Sequence, residues 1–167
     1  MKKIFFIALS LIITSGLFAQ KGAVEKYFKG FKDNDNFTSV YISKSMFKLM
    51  SEKKDASKSN EIINSLEGLD ILTTEKEAKF FFNSAKRILS TKGYDELLRV
   101  KEKDSNVLLL AKDSDGKIAK ELVFLVLDDS EAVLMSFVGN IPLDKISELG
   151  STVKFGNNNF FKDLDNK

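Results

Sequence analysis

Ser45 and Lys48 have the S-x-x-K spacing, which places a hydroxyl and an amine on neighbouring turns of a helix. Serine β-lactamases and penicillin-binding proteins use this pair to activate a nucleophilic serine, but they also need S-D-N and K-T-G elements. This chain contains neither element, and the same spacing recurs at Ser51 and Lys54. An exposed lysine stays protonated and is a poor base. We therefore interpret the spacing as accidental and assign no catalytic residue.

Two aspartate-rich stretches are the next candidates for chemistry. Asp113-Ser-Asp115-Gly116 resembles the start of a calcium-binding loop, which requires a bidentate glutamate at its twelfth position. That position is Phe124, so a hairpin turn is the better interpretation. Asp128 and Asp129 also lie in a predicted turn. We predict no metal site, although a pair of carboxylates that meets only in three dimensions stays open.

The residue types that are absent exclude several classes of enzyme. The chain has no histidine and no cysteine. It therefore cannot build a Ser-His-Asp or Cys-His site, a zinc site of histidine and cysteine, or a thiol redox pair. It also lacks a glycine-rich phosphate loop and a basic run with interleaved aromatic residues, so we predict no cofactor and no nucleic-acid partner. Carboxylate, lysine, serine and tyrosine chemistry remains.

The first 19 residues have the features of a signal peptide. Lys2 and Lys3 precede a largely apolar stretch from Ile4 to Ile13, and the small residue Ala19 stands before Gln20. The apolar stretch is shorter than the 20 or so residues that span a bilayer, and no later segment approaches that length. A lipoprotein would need a cysteine after the cleavage point. Because the chain has no cysteine, we predict that it is not a lipoprotein. We expect an exported, soluble protein in the periplasm or outside the cell.

Removal of the signal peptide changes the charge balance. Lys2 and Lys3 are its only charged residues, so the mature chain has 24 basic and 24 acidic side chains. A chain of this length buries enough surface to fold without disulfides. We predict one domain over residues 20–150, followed by a mobile tail at 151–167 that is rich in glycine and asparagine.

The first half of the mature chain contains mostly helical patterns. The spacing of Val24, Tyr27, Phe28 and Phe31 predicts a short amphipathic helix. A strand is predicted over Phe37 to Ile42.

A helix over Lys44 to Ser51 follows this strand, with Ser43 or Ser45 accepting a hydrogen bond at its start. A small helix with Ile62, Ile63 and Leu66 then precedes Gly68, which we interpret as its C-terminal cap.

A brief strand, Leu69 to Leu72, leads into the clearest helix. Thr74 and Glu77 form a T-x-x-E capping box, and the helix after it keeps one apolar face until Gly93. Leu143, Ile146 and Leu149 predict a last short helix.

The second half predicts strands at roughly 96–102, 106–112, 117–127 and 132–139, joined by the turns K-D-S-N, D-S-D-G and D-D-S-E. Such short connections force antiparallel neighbours. We therefore predict an α+β fold in which a C-terminal meander forms an antiparallel sheet and the helices pack mainly on one face.

The strand Leu122 to Leu127 is apolar on both faces. If D-D-S-E closes a two-residue turn, alternation separates the apolar side chains into two sets. The larger set is Leu122, Phe124, Val126, Val133, Met135 and Phe137, and the other is Val123, Leu125, Leu127 and Leu134. We expect the larger set to meet the capped helix. The other set needs cover from the N-terminal helix, the tail, a second subunit or an apolar ligand.

Three stretches give the chain a resemblance to a known family: "FTSVYISKSMFKLM", "GYDELLRVK" leading into "GKIAKELVFLV", and "FVGNIPLDKIS". With these stretches the chain resembles the domain of unknown function 4252 family, small exported proteins of Bacteroidota. The resemblance implies export and a single domain, and it carries no activity and no catalytic residues.

Three functions are compatible with this sequence. A non-enzymatic exported binding or interaction module of the cell envelope is the leading hypothesis, with an envelope protein or an apolar ligand as its partner. A small carboxylate- or lysine-dependent enzyme is the first alternative. A structural or chaperone-like envelope protein is the second.

Overall fold

The computed structural model describes residues 21–52, 60–103 and 105–146. The elements follow one another as α1 (Ala23–Tyr27), α2 (Lys29–Lys32), β1 (Thr38–Ser43), α3 (Lys44–Glu52), α4 (Asn60–Ser65), β2 (Leu66–Thr74), α5 (Ala78–Thr91), β3 (Asp95–Lys101), β4 (Asn106–Lys112), β5 (Ile118–Leu127), β6 (Ala132–Pro142) and a 3₁₀ helix (Leu143–Lys145).

The six strands form one antiparallel sheet in the order β1-β2-β6-β5-β4-β3. Strands β3 to β6 are consecutive neighbours, which confirms the predicted α+β class and the C-terminal meander. Strand β2 pairs with β6, so the N-terminal hairpin β1–β2 extends the meander at its last strand. The two edge strands of the sheet are thus β1 and β3.

Helices cover both faces of the sheet. On the first face, here called face 1, α1, α2 and α5 pack against side chains such as Leu72, Val123 and Leu134. On the opposite face 2, α3 and α4 pack against side chains such as Leu69, Leu122 and Phe137. The longest helix and the larger share of helical residues thus lie on face 1, but face 2 has helices of its own.

The turn between β5 and β6 separates the apolar side chains as predicted. Leu127 pairs with Ala132, and the Asp128 amide donates to the Glu131 carbonyl, leaving a two-residue turn. The predicted partner of the larger set was wrong, however, whereas α1, one of the covers expected for the smaller set, does pack against it. The capped helix α5 lies on the smaller set, and α3 and α4 cover the larger one.

Side-chain volume gives the reason for this arrangement. Helix α5 brings Phe81 and Phe82 to face 1, where they pack with the smaller strand residue Val123. Face 2 already carries the strand residues Phe124 and Phe137, and its helices contribute mostly aliphatic side chains. Since protein interiors are packed to a nearly constant density, bulky helix residues are placed over small strand residues.

Two further local predictions were wrong. Gly68 is not a helix cap: α4 ends at Ser65, the chain enters β2 directly, and Gly68 pairs with Ser43 and Val138 in the sheet. The N-terminal helix is two short helices, because Phe28 between them leaves helical geometry with φ −121° and ψ 14°. Phe28 is nonetheless fully buried, as the predicted apolar face requires.

The predicted helix starts are partly confirmed. The Ser43 hydroxyl accepts a hydrogen bond from the Met46 amide at 3.4 Å. The Thr74 hydroxyl accepts one from the Glu77 amide at 3.3 Å, but the Glu77 carboxylate accepts from the Asn36 side chain at 3.0 Å. Only half of the capping box therefore forms.

Several predictions lie outside the described residues, including the signal peptide, the tail at 151–167 and Leu149. Within residues 21–52, 60–103 and 105–146, no helix has the length and apolar character needed to cross a membrane.

Candidate ligand-binding pocket

Helix α1 begins directly on top of strand β6. A Cβ atom placed on Gly22 would lie 2.5 Å from Ser136 Oγ and 2.7 Å from Val138 Cγ2, and both distances are too short for a real contact. Only glycine therefore lets the backbone come this close to the sheet. The close approach brings the first amide of α1 to the polar end of face 1.

Glu121 is the first of two buried carboxylates at this end of face 1, and its side chain is fully hydrogen-bonded. Its Oε1 accepts from the Ala23 amide at 2.6 Å and from the Ser136 hydroxyl, and its Oε2 accepts from the Tyr94 hydroxyl at 2.7 Å. Burial and the negative charge of Glu121 raise the pKa of Tyr94, so this hydroxyl stays a donor. Three donors stabilise a carboxylate well without a cation.

Asp70 is the second buried carboxylate, and its side chain is not satisfied in this way. It lies on β2, opposite Tyr41 on one side and Ser136 on the other, and it is 4% exposed. Its Oδ1 accepts no hydrogen bond from any described residue, and Lys32 Nζ lies 3.7 Å away. Burial raises the pKa of Asp70, and this effect outweighs the opposing attraction of Lys32.

Lys32 is shared between Asp70 and a second acidic side chain. It forms an ion pair with Glu25, which joins α1 to α2. The hydrogen bond between the two raises the pKa of Lys32 and lowers the pKa of Glu25. Lys32 is therefore a cation whose main partner is Glu25. At 3.7 Å from Asp70 Oδ1, its Nζ is too far away for a hydrogen bond to that oxygen.

A pocket of about 260 Å³ opens over Asp70. Its lining consists of Gly22, Gly68 and Val138 together with the charged and aromatic residues Lys21, Glu25, Lys32, Tyr41, Glu67 and Asp70. With three carboxylates and two lysines, the lining has a net negative charge. The pocket suits a small molecule that donates hydrogen bonds and carries positive charge.

Ser45 and Lys48 lie elsewhere. Both are exposed on α3, outside the lining of this pocket. The remaining surface of α3 carries Met46 and Leu49, which are also exposed. Among the residues that the structure describes, none is brought to the Ser45 hydroxyl that would activate it.

The aspartate-rich stretches form turns. Asp115 Oδ1 accepts from the amides of Lys117 and Ile118, and these bonds lower the pKa of Asp115. Asp128 Oδ1 accepts from the amides of Ser130 and Glu131. In the part of the chain that the structure describes, no cluster of three or more acidic residues has a geometry for a metal ion.

Sequence reasoning missed both buried carboxylates. Asp70 interrupts the apolar run L-D-I-L, and Glu121 precedes L-V-F-L-V. A charged residue at a core-facing position of a strand is rare unless it is paired or functional. The sequence therefore contained a sign that both residues were unusual, but it did not show which groups would donate hydrogen bonds to each carboxylate.

A comparison with protein-family models now identifies the chain at family level. The model described as "Domain of unknown function (DUF4252)" matches residues 28–149. The chain belongs to this family. The match to the DUF4252 family includes Asp70, Glu121 and Lys32, and it begins after Glu25. No curated protein and no solved structure matches the chain. Membership in DUF4252 assigns no activity.

Proposed function

We propose that this protein is an exported, non-enzymatic binding module of the cell envelope, and that the pocket over Asp70 holds a small molecule with an ammonium group. The observation that carries the proposal is the buried Asp70, which lines the pocket and whose Oδ1 accepts no hydrogen bond from any described residue. Leaving such an oxygen unbonded costs roughly 1–3 kcal/mol, which a donor on a ligand would recover.

The charges around the pocket favour an ammonium group over a neutral donor. Three carboxylates face two lysines, and one of these lysines, Lys32, is already paired with Glu25. An ammonium ion gains from each carboxylate, whereas a neutral hydroxyl gains only the hydrogen bond to Asp70. A second, anionic group on the ligand would find Lys21 at the rim. An amino acid or the amino end of a peptide fits this pattern.

The apolar strand β5 lends no support to a binding function. Its side chains from Leu122 to Leu125 are buried within the same chain on both faces. These buried side chains therefore offer no open apolar face to an apolar ligand or an envelope protein. The proposal depends instead on the polar pocket.

Three small probes test the pocket: methylammonium, acetate and glycine. Titration of each into the purified protein, followed by the NMR shifts of the Tyr41, Gly68 and Asp70 amides, separates the contributions of the two charges. Methylammonium and glycine should shift these amides with millimolar affinity, as expected for ligands of so few atoms. Acetate should leave them unchanged.

Matched variants decide whether Asp70 is responsible. Asp70→Asn should abolish the shifts, and Asp95→Asn, which removes an exposed carboxylate on β3, should leave them intact. Lys32→Met should strengthen methylammonium binding, because it removes a cation that competes for Asp70, and Lys29→Met should not. A lack of any shift, or shifts that persist in Asp70→Asn, would refute the proposal.

Export has a test of its own. If residues 1–19 are a signal peptide, the protein recovered from the periplasm or the medium of the producing cell begins at Gln20. Intact-mass measurement gives that start site directly, and a recovered chain that retains Met1 would exclude cleavage.

The convergence of Asp70, Glu25 and Lys32 also supports a second candidate, a small carboxylate-dependent enzyme. The raised pKa of Asp70 is in the direction of a general acid. Lys32 is held as a cation by Glu25, which makes it a poor base or nucleophile. Mass spectrometry of amino acids and short peptides incubated with the protein separates the two functions: conversion that Asp70→Asn abolishes would favour the enzyme.

A further inference from the structure

Among the described residues, no strand pairs with the outer side of the β1 backbone. Strand β1 forms an edge of the sheet and pairs only with β2 among the strands of the described residues. The pairing is regular from Thr38 to Ser43, without a bulge. Val40 is 43% exposed and Tyr41 is 60% exposed. An open, regular edge is a template for another strand.

The opposite edge, β3, carries the features that prevent such pairing. Asp95, Glu96, Arg99 and Lys101 place charges along it, and a register shift between Glu96 and Leu98 distorts its ladder. Charged side chains and bulges on an edge strand protect it from association. Strand β1 has the sequence T-S-V-Y-I-S, with no charge and no bulge.

We propose that β1 pairs with β1 of a second copy of this chain, antiparallel across a two-fold axis at Tyr41. Antiparallel pairing about this residue places Tyr41 opposite the partner's Tyr41 and Val40 opposite the partner's Ile42. It also places Ser39 opposite the partner's Ser43. Because of the two-fold axis, the last two pairs occur twice.

The composition of β1 makes this register self-complementary. Paired strand residues point to the same face of a sheet. Val40 and Ile42 therefore form β-branched pairs on face 2, and Tyr41 pairs with Tyr41 on face 1, a combination that stabilises neighbouring strands. No charged residue of β1 meets another. The first charge beyond the strand, Lys44, falls opposite the partner's Thr38.

The surface next to β1 also favours a second copy over a free peptide. Helix α3 follows the strand and exposes Met46 and Leu49, at 50% and 55%. A single added strand would cover only β1. A second copy brings its own α3 to the same face 2 and adds apolar surface to the contact.

The absence of cysteine from the chain allows a direct test of the register. In Tyr41→Cys the two thiols of a dimer face each other, at the Cα separation of about 4.5–5.5 Å found for opposite residues. This separation suits a disulfide. Mild oxidation should convert the variant to a covalent dimer on a non-reducing gel. Val100→Cys, on the protected edge β3 and 37% exposed, is the matched control and should stay monomeric.

Sedimentation of the processed protein measures the association itself. The natural chain should show a reversible monomer–dimer equilibrium. Val40→Lys should raise the dimer dissociation constant about tenfold, because each of two apolar pairs then contains a charge. Val100→Lys should leave the constant unchanged, and circular dichroism should show both variants folded.

Three results would overturn the proposal. They are a natural chain that stays monomeric at every accessible concentration, a dimer that Val40→Lys does not weaken, and equal cross-linking of Tyr41→Cys and Val100→Cys. If β1 instead binds a peptide strand from another protein, the natural chain alone should stay monomeric, which is the first of these results. Tyr41 also lines the pocket over Asp70, but these three results measure association alone, so the dimer can be refuted while ligand binding at Asp70 still holds.

Discussion

Asp70 and Glu121 are two buried carboxylates on the same face of the sheet, and they have opposite surroundings. Ser136 lies between them: it is the cross-strand neighbour of Asp70 and donates its hydroxyl to Glu121. Glu121 accepts three hydrogen bonds from the protein, whereas no described residue donates one to Asp70 Oδ1, and Lys32 Nζ lies 3.7 Å from that oxygen. Burial alone therefore does not identify a functional carboxylate. The state of its hydrogen bonds separates a structural group from a binding group.

Glu121→Gln should have the largest effect on stability. The substituted amide offers only one acceptor oxygen to three donors, the Ala23 amide and the hydroxyls of Tyr94 and Ser136. Hydrogen bonds to charged groups and unsatisfied buried donors are each worth 1–3 kcal/mol, so we expect a loss of about 3 kcal/mol in urea unfolding. The control Glu75→Gln, at an exposed position, should change stability by less than about 0.5 kcal/mol. Equal effects would mean that Glu121 is not structural.

Gly22→Ala tests the contact that brings α1 to Glu121. The added methyl would collide with Ser136 and Val138, so α1 must move off the sheet at a cost of about 2 kcal/mol. Gly30→Ala is the matched control, since no atom lies within 4 Å of its added Cβ. Its lower backbone entropy when unfolded should make it neutral or more stable by about 0.5 kcal/mol. Thermal unfolding of both variants measures the difference, and a stable Gly22→Ala would contradict the close approach.

Ser136→Ala should have an intermediate effect. It removes one of the three donors to Glu121 and leaves the other two, which should cost about 1 kcal/mol in chemical denaturation. Ser45→Ala removes an exposed hydroxyl of the S-x-x-K spacing and should stay within about 0.5 kcal/mol of the natural chain. If Ser45→Ala lowered stability more than Ser136→Ala, our interpretation of the S-x-x-K spacing as accidental would be wrong.

Asp70→Asn should have the smallest effect, within about 1 kcal/mol at neutral pH, but a distinctive pH dependence. The folded pKa of Asp70 is raised above the ordinary 3.8, so the folded state binds more protons than the unfolded chain just above that pH. Asp70 therefore lowers stability progressively as the pH rises from 3.8 through its folded pKa.

The asparagine variant should lack this decline. Its stability relative to the natural chain should rise with pH across the same window and level off above it. Urea unfolding of both proteins over a pH series measures the difference. A relative stability that falls with pH would show that the fold stabilises the charged form of Asp70, which would contradict its interpretation as an unsatisfied carboxylate.

Local patterns predicted the elements of the second half closely. The strands at 106–112, 117–127 and 132–139 match β4, β5 and β6 to within about three residues at their ends. This agreement follows because alternating side chains and turns such as D-D-S-E act over a few residues. The faces reached by the helices were not predictable in this way. The positions of α3 and α5 depend on the strand side chains of each face: Val123 leaves room for Phe81 on face 1, whereas Phe137 already fills face 2.

The candidate pocket was the least predictable part. Glu25, Lys32 and Asp70 belong to α1, α2 and β2, and no spacing relates them. Gly68 illustrates the difficulty, since its position after an apolar run suggested a helix cap, whereas it lies in strand β2 and lines the pocket. Pairing with β1 and β6 overrode the local preference.

The sequence by itself determined which side chains could act and the antiparallel order of the meander. A chain without histidine or cysteine has a restricted chemistry in any fold, and short turns admit only antiparallel neighbours. Tertiary structure alone decided that Glu121 is satisfied and Asp70 is not. Pairing of β2 with β6 places Asp70 beside Ser136, and the close approach at Gly22 delivers the Ala23 amide to Glu121. These contacts join residues far apart in the chain, so they exist only once the sheet has formed.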